Sequence, residues 1–484
     1  MWSRTLATVA VAVACATTAS AQSSSSSPSS SACSAGPTPA NAAPSVAPGY
    51  DVRLVASDLE TPRTIIFDKA GHLLVLQQGV GIQNLELSDD GGTCVNVVKS
   101  TTVIESKELN HGLVLSEDGN TLYASSSEAV YAWSYDAQAI KLGDMNKTIV
   151  SNMGTSDHVT RTLLLSQKQP DTLVVSRGST SNIDPAAEDL DSGHCQIKSF
   201  NLTTVPDDGY DFNTDGDRLG WGLRNSVGVA EHPVTGGMYS VENSVDEIMR
   251  DNKDIHQDNP GEEMNFHGTL EDVANTPGGN HGYPNCVTVW GVNDIPNKDN
   301  LTVGSQFVMG NPNDTVNDDF CARERIPPIL AFQAHMAPLD IKFNNNGSEA
   351  WVTFHGSWDR TNPSGYKLSV VQFEDGKPTA ESTSTTAAQD IVANPDNSKC
   401  PDSCFRPVGM AWDSQERLFM SSDATGEVYV VMKSSGTSTS GSSPSGTSSG
   451  GSAATTTSSA SNELRSPCSF CALWIAFALV CFLV

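Results

Sequence analysis

Basic side chains are scarce: 28 lysines and arginines against 56 aspartates and glutamates give the 484 residues a formal charge of −28. Phosphate backbones demand a basic face, so neither DNA nor RNA is expected as a partner. The acidic balance suits an extracellular setting and says nothing about fold. Cysteines are few, 11 in all. The seven outside the two chain ends (Cys33, Cys94, Cys195, Cys286, Cys321, Cys400 and Cys404) form no C-x-x-C pair, so a zinc cluster is not indicated. There is no EF-hand loop. Long helical patterns are nearly missing between residues 49 and 433, where short β-rich runs alternate with Gly, Asn and Asp.

Both ends read as processed. Residues 1–21 have one early arginine, Arg4, an apolar stretch and Ala19-Ser20-Ala21, which is the pattern of a secretory signal cleaved after Ala21. The stretch is short for a membrane span. A Ser/Pro-rich segment follows over 22–48. Residues 434–462 are a Ser/Thr/Gly tract, expected to be a flexible, O-glycosylated stalk. Residues 463–484 give a polar spacer and an apolar tail with no basic residues behind it, the signature of a GPI-attachment signal. A secreted, GPI-anchored, cell-surface protein is the expectation, with the anchor as its link to the membrane. Its cysteines then form disulfides. We pair Cys286 with Cys321, Cys400 with Cys404 and Cys33 with Cys94, which leaves Cys195 odd. Sequons at Asn146, Asn201, Asn300, Asn313 and Asn346 fit a glycoprotein.

One unit recurs six times: an apolar strand, a polar turn, a second apolar strand. The copies start at Arg63 ("RTIIFDKAGHLLVLQQ"), His111, Arg161, Arg224 ("RNSVGVAEHPVTGGMYSVEN"), His335 and Arg406. Six units over this length leave about 60 residues each, enough for a four-stranded blade, so an all-β, six-bladed β-propeller is predicted. A β-sandwich pair would not explain a sixfold unit. The long interval from Arg224 to His335 is expected to hold the fifth blade's outer strands and an insertion.

In such a hairpin the residues before the first strand and after the second lie at the same end. The first strands line the channel, so the leading residues should ring one mouth: Arg63, His111, His158 with Arg161, Arg224 with Asn225, His335 and Arg406. The trailing set adds Arg177, Glu242, Asn243, His355 and Asp423. Like charges crowded together repel. A ring of arginines and histidines in so acidic a chain therefore implies a shared polyanionic ligand on the axis, with a metal. Taken singly, each member is more often an ordinary loop residue.

Two segments, "GLRNSVGVAEHPVTGGMYSVENSVDEI" and "HMAPLDIKF…FHGSWDRTNPSGYKLSVV", resemble the soluble quinoprotein glucose, aldose, sorbosone and pyranose dehydrogenases. The resemblance covers most of 49–433. It implies a propeller that binds pyrroloquinoline quinone (PQQ) and Ca2+, oxidises a pyranose or osone sugar at C1 by base-assisted hydride transfer, and passes electrons to an acceptor other than oxygen. That acceptor would be a separate partner, a cytochrome or a quinone. By the same resemblance His158 is the base. Arg224 and Asn225 flank the quinone, with Arg224 stabilising its developing charge, and Arg406 holds a cofactor carboxylate. Arg63, Arg161 and Lys367 are further cofactor contacts. Backbone carbonyls at Ser244 and Val245, beside Asn243, hold calcium. His111 and His335 are runner-up bases or substrate contacts. From their places near the mouth, Trp358, a further substrate contact, and Trp221 and Tyr366 are expected to stack on the quinone or a sugar ring. Competing readings are a calcium-dependent lactonase-like hydrolase and a non-catalytic cell-surface propeller, which would leave the ring unexplained.

Overall fold

The computed structural model describes residue 33 and residues 35–434. The expected signal, stalk and GPI-attachment tail lie outside the described residues. Six antiparallel sheets of four core strands follow one another from residue 50 to residue 433. All six repeated units are their inner hairpins. They are Pro62–Phe67 with Leu73–Gln77, Leu109–Leu115 with Thr121–Ser126, and Leu163–Leu165 with Thr172–Arg177. Then come Ser226–Glu231 with Gly237–Glu242, Pro338–Phe343 with Glu349–Phe354, and Pro407–Trp412 with Leu418–Ser422. This is the expected six-bladed propeller.

The strands read as near-continuous apolar runs because both faces are buried. With side chains alternating, each strand feeds two neighbouring cores. In the first blade Leu73 and Val75 face the core shared with the last blade, while Leu74 and Leu76 face the core shared with the second. In the third blade Leu173 and Val175 pack toward the second and Val174 toward the fourth. Clusters at the remaining two junctions complete a ring of six inter-blade cores. On the inner side, Val227, Leu339 and Val408 from three successive blades meet in a small apolar cluster.

Two features were not legible in the repeat. First, the ring is closed by the strand Tyr50–Ala56, which lies outside all six units and pairs antiparallel with Glu427–Lys433 as the fourth strand of the last blade. Second, the long interval after Arg224 belongs to the fourth blade and not the fifth. Its outer strands, Glu262–Thr269 and Leu330–Phe332, bracket an insertion with two short helices, Leu270–Asn275 and Asp318–Glu324, and a small sheet of Cys286–Thr288 with Gln306–Val308. The Cys286–Cys321 disulfide ties that sheet to the second helix, and Arg250 forks onto Asp318 with Nη–Oδ distances of 2.9 and 2.8 Å. The segment after Glu242 is thereby held to the insertion. Cys400–Cys404 also forms, Cys195 is free and buried, and Cys33 and Cys94 are each disulfide-bonded. The asparagines of four expected sequons, Asn201, Asn300, Asn313 and Asn346, are exposed.

Candidate active site

The inner hairpins open onto a cavity of roughly 640 Å3 lined by His158, Arg224, Asn225, Asn243, Ser244, His335, His355, Trp358 and Arg406. Leading and trailing residues of the third to sixth hairpins thus converge as the hairpin geometry requires.

His158 sits before the third hairpin and is buried. Ser179, two residues past that hairpin, gives its hydroxyl hydrogen to the Ser181 carbonyl at 2.8 Å. Its oxygen therefore accepts from His158 Nδ1 at 2.7 Å. That fixes the proton on Nδ1 and leaves Nε2 as a bare acceptor. Burial, and then the Arg224 charge, push the imidazole well below the usual histidine range, so it is neutral near pH 7. Gly178 permits the close approach: a Cβ there would meet the His158 Cβ at 2.7 Å and the Asn225 Oδ1 at 2.8 Å.

Arg224 enters the site from the fourth hairpin and is nearly saturated. Its guanidinium donates to the Asn182 carbonyl and side chain, to the Ser244 carbonyl at 2.7 Å, to the Asn243 carbonyl at 3.4 Å and to Asp246 at 2.8 Å. Asn243 spends its side-chain amide on the Pro338 carbonyl. Glu262 receives the backbone N–H groups of Ser244 and Ala337 at 2.7 and 3.0 Å. Burial pushes its carboxyl up to about 8, against the pull of those N–H groups.

Arg406 donates Nε to the His355 carbonyl and Nη2 to the Gly356 carbonyl, and lies over the Tyr366 ring. Its Nη1 makes no hydrogen bond among the described residues, which leaves a donor for the cavity. Behind it His355 Nε2 donates to Asp423 at 2.8 Å, and Asp423 also takes Arg63 Nη1 at 2.6 Å. Burial alone would raise the Asp423 carboxyl, but His355, then Arg63, hold it well below the carboxylate range.

Several expected ligands are elsewhere. Arg161 is fully buried and donates to the carbonyls of Ser127, Met153, His158 and Thr160 and to the Thr155 hydroxyl, so its guanidinium clamps the loop that carries His158. Arg63 does not line the cavity and donates to Asp423 and, at 3.4 Å, to His111 Nδ1, and His111 is buried. Lys367 pairs with Asp390 at 2.8 Å, away from the cavity. Arg177 is spent on Ser192, Asn213 and Gly154. Val245 does not line the cavity: its side chain packs with Cys195 and Ile248 in an apolar cluster. Trp221 is not at the cavity, and Tyr366 supports Arg406 from beneath. His335 and the exposed Trp358 are at the cavity, as expected.

The expected ring of free positive charge is therefore corrected. Around the cavity stand two guanidiniums, Arg224 and Arg406, and six carboxyl groups: Asp157, Asp246, Glu247, Glu262, Asp359 and Asp402. Asp359, Asp402 and Asp157 sit in the loops trailing or leading the hairpins, next to positions the repeat singled out. Ser179 and Asn182 lie just past Gly178, where the third unit ends. A donor set so rich in carboxylate accepts a polyanion only together with a divalent cation, and the cavity volume is in the range of cofactor sites. PQQ with calcium fits those terms.

The TrAA12-like family profile matches residues 44–434. The chain is 49% identical over 395 residues to the pyrroloquinoline quinone-dependent sugar dehydrogenase of Hypocrea jecorina, covering 81% of this chain and 90% of that one. It is 35% identical over 421 residues to the pyrroloquinoline quinone-dependent pyranose dehydrogenase of Coprinopsis cinerea, covering 84% of this chain and 56% of that one, so it spans little more than half of the latter. A calcium structure of the Trichoderma reesei carbohydrate-active enzyme family AA12 superposes with a TM-score of 0.81 at 48% identity, over 83% of this chain and all of that one. The holo form of the Coprinopsis cinerea pyranose dehydrogenase PQQ domain gives 0.77 at 34% identity, over 82% of this chain and 99% of that one. By profile, by sequence identity across its propeller and by fold, the chain belongs to the TrAA12-like family.

Proposed function

We propose that the chain is a PQQ- and calcium-dependent dehydrogenase that oxidises a pyranose or osone sugar at C1 and passes the electrons to an acceptor other than oxygen. The observation that carries the reading is His158: neutral, with Nδ1 committed to Ser179 and Nε2 bare at a cavity shared with Arg224 and Arg406. An imidazole so held takes the proton of the C1 hydroxyl. When bound, PQQ would supply a hydride acceptor; the C1 hydride and the hydroxyl proton together remove two electrons and two protons from the sugar, and a pyranose becomes a lactone. Arg406 offers its unspent donor to a carboxylate. Arg224, fixed by Asn182 and Asp246, places positive charge where oxygen charge develops. Asn225 lines the same cavity. Carbonyl oxygens of Asn243 and Ser244 would meet the calcium ion, with Asp246 supplying negative potential beside it. Trp358, exposed at the mouth, offers an apolar face to a sugar ring.

The test is reconstitution of the purified ectodomain with calcium and PQQ, followed by sugars and a dye acceptor. A bound-quinone spectrum and sugar-dependent dye reduction are expected. Absence of both overturns the reading. His158→Ala should keep the spectrum and lose at least about 100-fold in rate.

For location, residues 1–21 and 463–484 support secretion and GPI attachment, and the Cys286–Cys321 and Cys400–Cys404 bridges suit an oxidising compartment. The exposed sequon asparagines suit glycosylation. A separate cytochrome or diffusible quinone would collect the electrons at the cell surface. Release of the enzyme from intact cells by a phosphatidylinositol-specific phospholipase is the expected result. Retention on the cells would count against the anchor.

A further inference from the structure

One corner of the cavity holds a carboxyl group, Asp359, to which the dehydrogenase reading gives no role. His335, held at φ 62°, directs Nε2 at the carbonyls of His256 and Asn259, at 2.6 and 3.2 Å. Carbonyls only accept, so Nε2 bears a proton, and Nδ1 presents either a lone pair or a second proton. Nδ1 faces two carboxylates: Asp359 Oδ2 at 3.3 Å and Asp246 Oδ1 at 3.9 Å. Such a corner needs something positive at its centre, a second ring proton or a cation.

The carboxylates are not equivalent. Asp246 is compensated on its other oxygen by Arg224. The Asp359 side chain is 4% exposed, and neither of its oxygens has a hydrogen-bond partner among the described residues, so that His335 is its one ionic contact there. Its neighbour Arg360 does not help, since that guanidinium turns to Asp258 and the Gln257 and Asn362 carbonyls. A buried, unpaired carboxylate is strongly unfavourable. The segments that carry the group are firmly placed: Arg360 and Thr361 pin the Asp359 loop to Gln257, and Arg224 and the Asn182 amide oxygen fix Asp246. One ligand atom from each of Asp246, His335 and Asp359 falls within 4.8 Å of the others. Metal–ligand bonds of about 2.0–2.2 Å need only a small closure from there.

We infer that Asp246, His335 and Asp359 bind a divalent first-row transition cation through the chain's own side chains, independently of PQQ and of the calcium that accompanies it. One imidazole nitrogen and two carboxylate oxygens are a donor set for Mn2+ or Zn2+, whereas calcium takes oxygen almost exclusively. The ion would join the loop after the fourth blade's inner hairpin to the loop after the fifth's, at the rim beside Arg224.

The experiment uses chelator-treated ectodomain without PQQ. Mn2+ and Zn2+ are added separately and followed by calorimetry, elemental analysis and, for Mn2+, electron paramagnetic resonance. One ion per chain is expected, with a rise in melting temperature. Asp359→Asn should weaken binding at least tenfold, abolish the rise, and make the metal-free protein melt higher than wild type because the unpaired charge is gone. Asp254→Asn removes the exposed His256–Asp254 pair nearby and should change nothing. No bound ion, binding unaltered by Asp359→Asn, or binding lost with Asp254→Asn overturns the inference. If Asp359→Asn does not fold, His335→Gln decides by the same criteria. Failure here leaves PQQ- and calcium-dependent dye reduction untouched, so the two readings fall separately.

Discussion

At the scale of the residue, the decisive observation is which nitrogen of His158 is free. Ser179 has one hydroxyl hydrogen and gives it to Ser181, so the proposed base is committed to its Nδ1–H tautomer before any substrate arrives. Ser179→Ala removes that bias while leaving the ring in place, and kcat should fall roughly tenfold, the worth of one hydrogen bond. Ser179→Thr, which keeps the hydroxyl, should restore most of it. The pH profile separates this role from a loss of packing. A histidine whose value is lowered releases its proton at lower pH, so the acid limb of kcat/KM should lie below 6.5, with activity lost only as pH falls through the lowered value. Burial and Arg224 cause that shift, so the limb should stay in place in Ser179→Ala. A limb above 6.5 would assign the base elsewhere.

At the scale of the element, the inner hairpins were readable and their use of charge was not. Each hairpin is two apolar runs around a polar turn, a local pattern whose six copies give the blade count without knowledge of tertiary contacts. Which leading residue points into the cavity depends on loops that the pattern does not encode. Arg161 and Arg406 occupy equivalent places before their strands. Arg406 reaches the cavity, while Arg161 turns back over the loop 153–160 and satisfies four carbonyls and a hydroxyl. Arg161→Met leaves those acceptors buried without donors and should cost about 3–5 kcal/mol of stability. Yet the cofactor dissociation constant, measured on folded protein by quinone absorbance, should change by less than about threefold, under one unpaired hydrogen bond. Arg406→Gln should do the reverse, with a cofactor constant weakened by more than about tenfold and a smaller change in melting, because its free donor is replaced by a shorter side chain. Equal effects of the two variants on cofactor binding would return Arg161 to the ligand set.

At the scale of the whole molecule, the site exists only because the ring is closed, and closure is the least local feature of the chain. The strand Tyr50–Ala56 pairs with Glu427–Lys433, in register from Tyr50 opposite Lys433 to Leu54 opposite Tyr429. Leu54 enters the core between the fifth and last blades and Val55 the core between the last and the first. One seven-residue strand thus serves both junctions of the blade that carries Arg406 and Asp423. Its sequence holds no copy of the repeat, because its partner is supplied by the other end of the chain. Two fully buried aliphatic side chains are worth about 3–6 kcal/mol, and without the strand the edge Glu427–Lys433 is left open to pair with another chain. An ectodomain that starts after Ala56 should therefore elute as aggregates and bind no PQQ, while Leu54→Ala alone should lose about 2–5 kcal/mol and remain monomeric. A peptide spanning residues 49–57, added in trans during refolding, should recover monomer and cofactor binding together. Size-exclusion chromatography and thermal melts check all three. A truncated chain that stays monomeric with an unchanged melting temperature would show that the blade holds its shape, and the cavity its arginine, without the closing strand.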